Sequence, residues 1–600
     1  MKHSHYFHIP KSSMAFARDL QTIELRFRSI SNTARTVEVI HADPFDWTID
    51  EDRKHWNGAL KKPTPMTLEA STDEYDHWHV VIDVPTKRVK YAFLINKTHL
   101  FVENHLVDLE TSPDFRHNLN AYYNFPYILQ ADLYEAPGWV KDTVWYSIFP
   151  DRFHNQGNDH KGILAWESNT PYRNDQFYGG NLKGIEAKLP YLKDLGFTGI
   201  YLTPLFKAPS AHKYDTVDYY RIDPQFGSKD DLKAMVETAH SLGIRVILDA
   251  VFNHVSNQHP FFRDVLEKGP KSPYYDYFFI HEWPLDKDKL KKRPSEGGYP
   301  QPPYETFAFT PRMPKLNADH PDLKAYLLKV ARYWIETFDI DGWRLDVSNE
   351  VSHDFWRDFR KTVKAVKPDA FILGENWDQS NPWLEGDQHD AVMNYEFLYP
   401  LWAFFGKDEP FTMDARDFAN AIKNTLFSYP RPVIQNMFNI VDSHDTKRIA
   451  RVVGEDTKTL RQVYLMQYLL PGAPSIFYGG EIGLTGAHDP DNRRCMVWEE
   501  DRQDGQMKAF IKKLNTLYHT HPSFKSSTLT FLYSDQDVLV VQKGDLFALF
   551  NRSETSRTLS LKALKGRFKD LFTGADLVLN KALDVAPMAL SLWQKRTDDR

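Results

Sequence analysis

A chain of 600 residues with a single cysteine, Cys495, can form no internal disulfide and offers no cysteine-rich metal site. No run approaches the ~20 apolar residues that a membrane span requires. The first residues, Met1 to Tyr6, lack the apolar core of a secretion signal. Basic charge is not in excess: 74 Lys and Arg against 81 Asp and Glu leave a net charge of -7, without a footprint for nucleic acid. Internal repeats and low-complexity tracts are missing as well. These absences predict a cytoplasmic protein with no membrane and no nucleic-acid partner. What is plentiful is aromatic: 14% of the chain, with 15 Trp and 30 Tyr, rings that serve sandwich cores and sugar stacking alike. The length exceeds what one core serves, so several domains are expected.

Residues 1–125 carry short alternating runs. Ile23, Leu25 and Phe27 interleave with Glu24, Arg26 and Arg28, and two further runs flank the Pro85-Thr86-Lys87 turn. The pattern predicts an N-terminal β-sandwich. From about Thr143 the rhythm becomes strand, helix, strand. Ser228 and Asp231 predict a capped helix start, Leu232, Val236 and Ala239 its buried face, and Gly243 its end. A second helix begins near Asp319 with Pro321 in its first turn and a stripe of Leu323, Leu327, Val330 and Trp334. Eight such units predict an α/β fold, a (β/α)8 TIM barrel over 126–254 and 318–510. About sixty residues rich in Tyr, Pro and Lys, 255–317, interrupt it after the third strand as an inserted domain. Alternation returns afterwards and predicts a C-terminal β-sandwich over 511–600.

The chemistry gathers where barrel strands end. In Asp341-Gly342-Trp343-Arg344-Leu345-Asp346-Val347, Arg344 and Asp346 are two residues apart and share one face of a strand. An arginine there keeps a carboxylate ionised and oriented, as a nucleophile requires; alone, the pair reads equally well as a structural ion pair. Three other strands end alike: Asp249 in Asp249-Ala250-Val251-Phe252-Asn253-His254, Glu375 in Gly374-Glu375-Asn376-Trp377, and His444-Asp445 after Asn439-Ile440-Val441. Acids converging on one mouth repel and are costly without a task. Glycoside hydrolysis between two carboxyl groups fits, with Tyr214, Trp343 and Trp377 as faces for sugar rings. A catalytic metal does not fit, for no paired histidines adjoin the acids and Arg344 would compete with the cation.

These four stretches resemble, in order and spacing, the signature regions of the α-amylase family of glycoside hydrolases, from Val144 to the C-terminus. The resemblance implies Asp346 as nucleophile, Glu375 as general acid/base and Asp445 as the third carboxylate. It implies Arg344 as the group orienting the nucleophile, His254 and His444 as sugar ligands, Asp249 as support and Tyr214 as stacking platform. Met313-Pro314-Lys315-Leu316-Asn317 resembles the marker of the neopullulanase, cyclomaltodextrinase and maltogenic amylase group, whose members carry an extra N-terminal β-sandwich. By that likeness Asp489 and Arg493 close the donor side of the cleft, and Glu350 matches a position tied, with Trp377 and its neighbours, to the balance between water and sugar as acceptor. The partners implied are α-glucan oligosaccharides and cyclodextrins, together with a second copy of the chain paired through the N-terminal domain as a homodimer.

Departures from the group's pattern are local. Asn376 stands where an aliphatic residue is usual, and Asp378 where a histidine is common. No cofactor is required for catalysis, but the group's structural calcium would fall on Asn155, Asn158, Asp159, Gly179 and Asn181. Asn181 replaces the usual aspartate, which leaves a weakened calcium site and a plain Asn/Gly-rich surface turn as equal alternatives. Three functions stay open: a retaining hydrolase of α-1,4-glucans, a glucanotransferase on the same substrates, and a non-catalytic glycan-binding barrel.

Overall fold

The computed structural model describes residues 2–50, 53–167, 170–291, 300–407, 409–579 and 582–596. Eight strands follow the expected rhythm: β1 (Trp145–Ile148), β2 (Gly199–Leu202), β3 (Arg245–Ala250), β4 (Gly342–Leu345), β5 (Phe371–Gly374), β6 (Ala391–Val392), β7 (Phe438–Asn439) and β8 (Ala473–Phe477). All pair in parallel, in the order β6-β5-β4-β3-β2-β1-β8-β7, and a parallel bridge from Met393 to Phe438 joins the two ends into a barrel. A Cβ on Gly342 would lie 2.1 Å from the Phe371 carbonyl oxygen, so only glycine lets β4 start this close to β5.

Alternation along the strands decides what faces where. Trp145, Tyr201, Ile247, Phe371, Leu373 and Phe438 point inward and fill the barrel. Their neighbours Tyr146, Ile200, Val246 and Ile372 point outward into the helix layer. Trp343 belongs to this outer set, fully buried with its ring 6.5 Å from that of Phe206. It cannot be the sugar platform expected from the sequence, because Arg344 beside it occupies the inward phase.

Helix α1 (Lys229–Ser241) starts with the expected reciprocal cap, Ser228 on the Asp231 N–H and Asp231 on the Ser228 N–H, a device worth roughly 1 kcal/mol. Helix α2 (Pro321–Phe338) buries the predicted Leu323, Leu327, Val330 and Trp334. Among the described residues the inserted segment forms no core of its own: Phe262, Tyr277, Tyr304 and Leu316 merge with the barrel's outer core. Part of it, 292–299, lies outside the described residues.

The N-terminal sandwich is present as two antiparallel sheets around Ile23, Phe27, Trp78, Tyr91 and Phe93. Its polar row meets protein rather than water. Glu24 and Arg26, 0% and 2% exposed, press onto helix α3 (Ala415–Ser428) and the turn after it. Arg26 Nη1 donates to the Tyr429 carbonyl at 2.6 Å, and Arg431 Nε meets Glu24 Oε1 at 2.8 Å. The C-terminal boundary expected at 511 falls inside helix α4 (Gly505–Thr520), whose Met507, Ile511, Leu514 and Tyr518 are buried in the barrel's outer core. The strands of the last domain begin at Thr530 and run to Lys595.

Candidate active site

Three strands deliver an acid to one mouth because each acid keeps its strand's inward phase: Asp249 two residues after Ile247, Asp346 two after Arg344, Glu375 two after Leu373. Arg344, fully buried, lies between them. Its Nη1 donates to Asp346 Oδ1 at 2.7 Å and to Asp249 Oδ2 at 2.9 Å. Its Nη2 lies 2.9 Å from Glu375 Oε2, an ion-pair contact too oblique for a directed hydrogen bond. One planar guanidinium therefore holds Asp346 and Glu375 side by side. Hydroxyls of Tyr201 and Tyr214 donate to Asp249 Oδ2 at 2.5 and 3.0 Å. Asp346 lines the cavity above, and its buried Oδ2 has no hydrogen-bond partner among the described residues.

Glu375 is oriented from two directions. Trp377 Nε1 donates to Oε1 at 3.0 Å, and the Val347 N–H donates to Oε2 at 2.9 Å. Val347 has φ 45° and ψ 46°, a left-handed conformation that costs a β-branched residue energy. The strained turn aims Val347 N–H at the carboxyl and Ser348 N–H at the Glu375 carbonyl, 3.2 Å away.

Electrostatics separate the acids. Burial pushes Asp346 well above the usual carboxylate range, with Glu375 and Asp249 adding to the rise against the pull of Arg344. Burial raises Asp249 as well. One guanidinium faces several buried acids, so Asp346 and Asp249 hold their protons to higher pH than free aspartates do. Asp445 behaves in the opposite way. Burial would raise it too, but His444 Nε2 at 3.0 Å and Arg493 Nη2 at 3.2 Å outweigh that and hold it ionised.

A cavity of about 470 Å³ opens over this cluster. Of the residues expected from the sequence, Tyr214, His254, Asp346, Glu375, Trp377, Asp445, Asp489 and Arg493 line it. Arg344, Asp249 and His444 lie beneath, with His444 stacked on the Tyr214 ring at 5.5 Å and 6°. Trp377, 37% exposed, stacks on Tyr395 at 4.2 Å and 12°. His254 stacks on Phe307 at 4.7 Å; burial, with the charge of Lys315, lowers it to about 3 and keeps it neutral. Glu350 does not reach the lining, because Lys315 Nζ holds its Oε2 at 2.9 Å. Asn376 turns away as well, its Oδ1 accepting from Ser348 Oγ at 2.6 Å.

Sequence reasoning missed His212, Asn174, Phe307, Met313 and Asn349 in the lining. His212 had none, for it shares with Tyr214 an irregular loop where a two-residue spacing fixes no common face. Asn174, which accepts from Arg493 Nη1 at 3.0 Å, and Phe307 had none, since both sit on long connections.

The five residues proposed for calcium do not fit an oxygen shell. Asn155 Oδ1 accepts from Asn158 N at 2.9 Å, while Asn181 Oδ1 caps the helix Leu182–Leu195 through Gly184 N at 2.8 Å. Asn158 Nδ2 occupies the carbonyls of Gly179 and Gln225 at 3.1 and 2.8 Å. Asp159, the one formal charge, is exposed. Amide hydrogen bonds thus occupy several of the oxygens that would have to turn to a cation, against the 6–8 oxygen ligands calcium takes. Among the described residues no group of three or more His, Cys, Asp or Glu is arranged for a metal ion. Nor is any described helix long and apolar enough to cross a membrane.

A family model described as the α-amylase catalytic domain matches residues 147–525, more than half of the chain. The chain belongs to the α-amylase family. A second model, the N-terminal Ig-like domain of α-amylases, matches residues 1–129. Among relatives, the cyclomaltodextrinase of Geobacillus thermopakistaniensis (strain MAS1) is 42% identical over 92% of this chain and 92% of its own. Neopullulanase 2 of Thermoactinomyces vulgaris is 38% identical over 95% of each. A solved structure titled cyclomaltodextrinase superposes with a TM-score of 0.89 at 37% identity, covering 99% of this chain and 100% of that one. The protein is accordingly a glycosidase of the α-amylase family, which removes the non-catalytic barrel from the alternatives.

Proposed function

We propose that this glycosidase hydrolyses α-1,4-glucosidic bonds in cyclodextrins, maltooligosaccharides and pullulan with retention of configuration. The observation that carries the proposal is the placing of Asp346: Arg344 pins its Oδ1, and its carboxyl lines the cavity beside Glu375. The Asp346 carboxylate attacks the anomeric carbon as Glu375 protonates the departing glycosidic oxygen, giving a covalent glycosyl ester on Asp346. Glu375, now a carboxylate, takes a proton from water, which displaces Asp346 and restores the original configuration. The two carboxyls share one guanidinium, which suits the ~5–5.5 Å spacing of retaining enzymes better than the ~6.5–9.5 Å of inverting ones. Asp445, held ionised by His444 and Arg493, grips sugar hydroxyls and favours positive charge developing on the ring. The names of the similar proteins support cyclodextrins and pullulan as substrates. Proton NMR of the first products tests the scheme: the wild type releases α-anomers, whereas Asp346→Asn and Glu375→Gln fold normally but do not turn over. Initial β-product would refute it.

We further propose a homodimer formed through the N-terminal sandwich. Support comes from the hairpin of Trp47–Asp50 and Arg53–Trp56, where Phe45 just before it and Ile49 are 72% and 70% exposed. An isologous contact would cover this apolar surface on both copies.

A further inference from the structure

Lys213 is a buried cation set between two residues of the cavity wall. Its sequence neighbours His212 and Tyr214 both line the cavity, whereas Lys213 itself is 1% exposed and sends its side chain into the protein. Its backbone has φ 63°, a left-handed conformation that is costly for a residue with a Cβ. The turn made there lets the two flanking rings stand on one side, stacked at 5.8 Å and 26°, and His444 continues the stack beyond Tyr214.

The ammonium lies where three segments meet. Nζ is 2.9 Å from Asp223 Oδ2 and donates to Gln225 Oε1 at 3.0 Å and to the Ala208 carbonyl at 3.2 Å. The rings of Phe177 and Phe226 flank it at 4.9 and 5.2 Å. Burial lowers the Lys213 amine, and Asp223, Asp151 and Asp215 oppose that with their negative charge. Gln225 passes the connection on, because its carbonyl accepts from Asn158 Nδ2 at 2.8 Å. The loop of His212 and Tyr214, the turn 223–226 and the segment of Phe177 are thus gathered around one enclosed positive charge. Bound metal ions tie loops together in the same way, as the largest local charge among converging oxygens. Here the ion is part of the chain.

We propose that the Lys213 ammonium is a built-in cation, a positioning group that holds the His212–Tyr214–His444 ring stack for the sugar being cleaved, and that its removal opens a site for a free ammonium ion. The part that concerns sugar rests on the α-glucan reading above. Ammonium supplies the charge and the N–H donors that Asp223, Gln225 and Ala208 receive from Nζ. Tetramethylammonium carries the same charge with more bulk and no donor.

The test uses the full chain, with melting midpoints and maltotriose hydrolysis measured in ammonium chloride and in tetramethylammonium chloride at equal ionic strength. Assayed well below its own midpoint, Lys213→Ala should lose kcat/KM at least about tenfold, the scale of one lost charge-assisted hydrogen bond. Ammonium alone should restore its midpoint and its kcat/KM together, over the same concentration range, while the wild type responds alike to both salts. Lys213→Met fills the space with an uncharged stem, so it should lose as much and recover nothing in ammonium. A folded Lys213→Ala with kcat/KM within about threefold of wild type would make the lysine a structural prop and overturn the proposal. Recovery equal in the two salts, or in neither, overturns it as well. If both lysine variants fail to fold, Asp223→Asn decides: its kcat/KM should fall more than about threefold, and a smaller loss rejects the proposal. Midpoints need no substrate. A wild type inactive on maltotriose, with a Lys213→Ala midpoint that still recovers in ammonium, therefore rejects the α-glucan reading and leaves the built-in cation standing.

Discussion

Replacing Arg344 by methionine isolates the electrostatic logic of the site. The side chain keeps its approximate length, but Asp346, Asp249 and Glu375 lose contacts at 2.7, 2.9 and 2.9 Å from a fully buried guanidinium. Breaking a buried ion pair from one side costs about 3–5 kcal/mol, because the remaining charge is stranded. Here the stranded groups can take up protons instead, which makes the cost depend on pH. Asp346 and Asp249 already have folded-state pKa values above the unfolded ones, so the folded form binds protons more tightly. Stability therefore falls as pH rises from the unfolded value toward the folded one. Without Arg344 the folded values rise further, and the window extends upward at up to ~1.4 kcal/mol per pH unit for each extra proton. The melting deficit of Arg344→Met against wild type should thus be small at pH 5 and large at pH 8. Midpoints are compared because several domains preclude a single unfolding free energy. A nucleophile kept protonated is inactive, so kcat should fall at least about 100-fold, the rate equivalent of ~3 kcal/mol. A deficit equal at both pH values, or a kcat within threefold of wild type, would refute the reasoning.

Calcium provides a second check: the amide-filled loop at Asn155, Asn158 and Asn181 should give the same melting temperature in chelator and in millimolar calcium, and a clear rise would mean that the amides reorient around the ion. Removing residues 1–125 should convert a dimer into a monomer by sedimentation and shift preference from cyclodextrins toward long glucans. A full-length monomer, or a truncation that loses starch hydrolysis alone, would instead make the sandwich a polymer-binding module.

What the sequence by itself determined was set by short-range rules. The two-residue phase of β4 placed Arg344 and Asp346 on one face, and the Ser228–Asp231 pair marked the start of α1; both depend only on local backbone geometry. The same phase repeated in β3 and β5 was enough to gather Asp249 and Glu375 at the barrel mouth. Alternation in the N-terminal strand told which side chains share a face, but not that Glu24 and Arg26 would be covered by α3 rather than water. Likewise, the family motifs named Glu350 and the asparagine loop without showing that Lys315 draws the first off the cavity lining and amide groups close the second. The inward lining from Asn174 and Phe307 arrived on connections whose course no periodicity encodes. Only the tertiary structure decided these points, because a burial partner or a competing hydrogen bond comes from residues distant in the chain, and local pattern carries no information about which distant group will arrive.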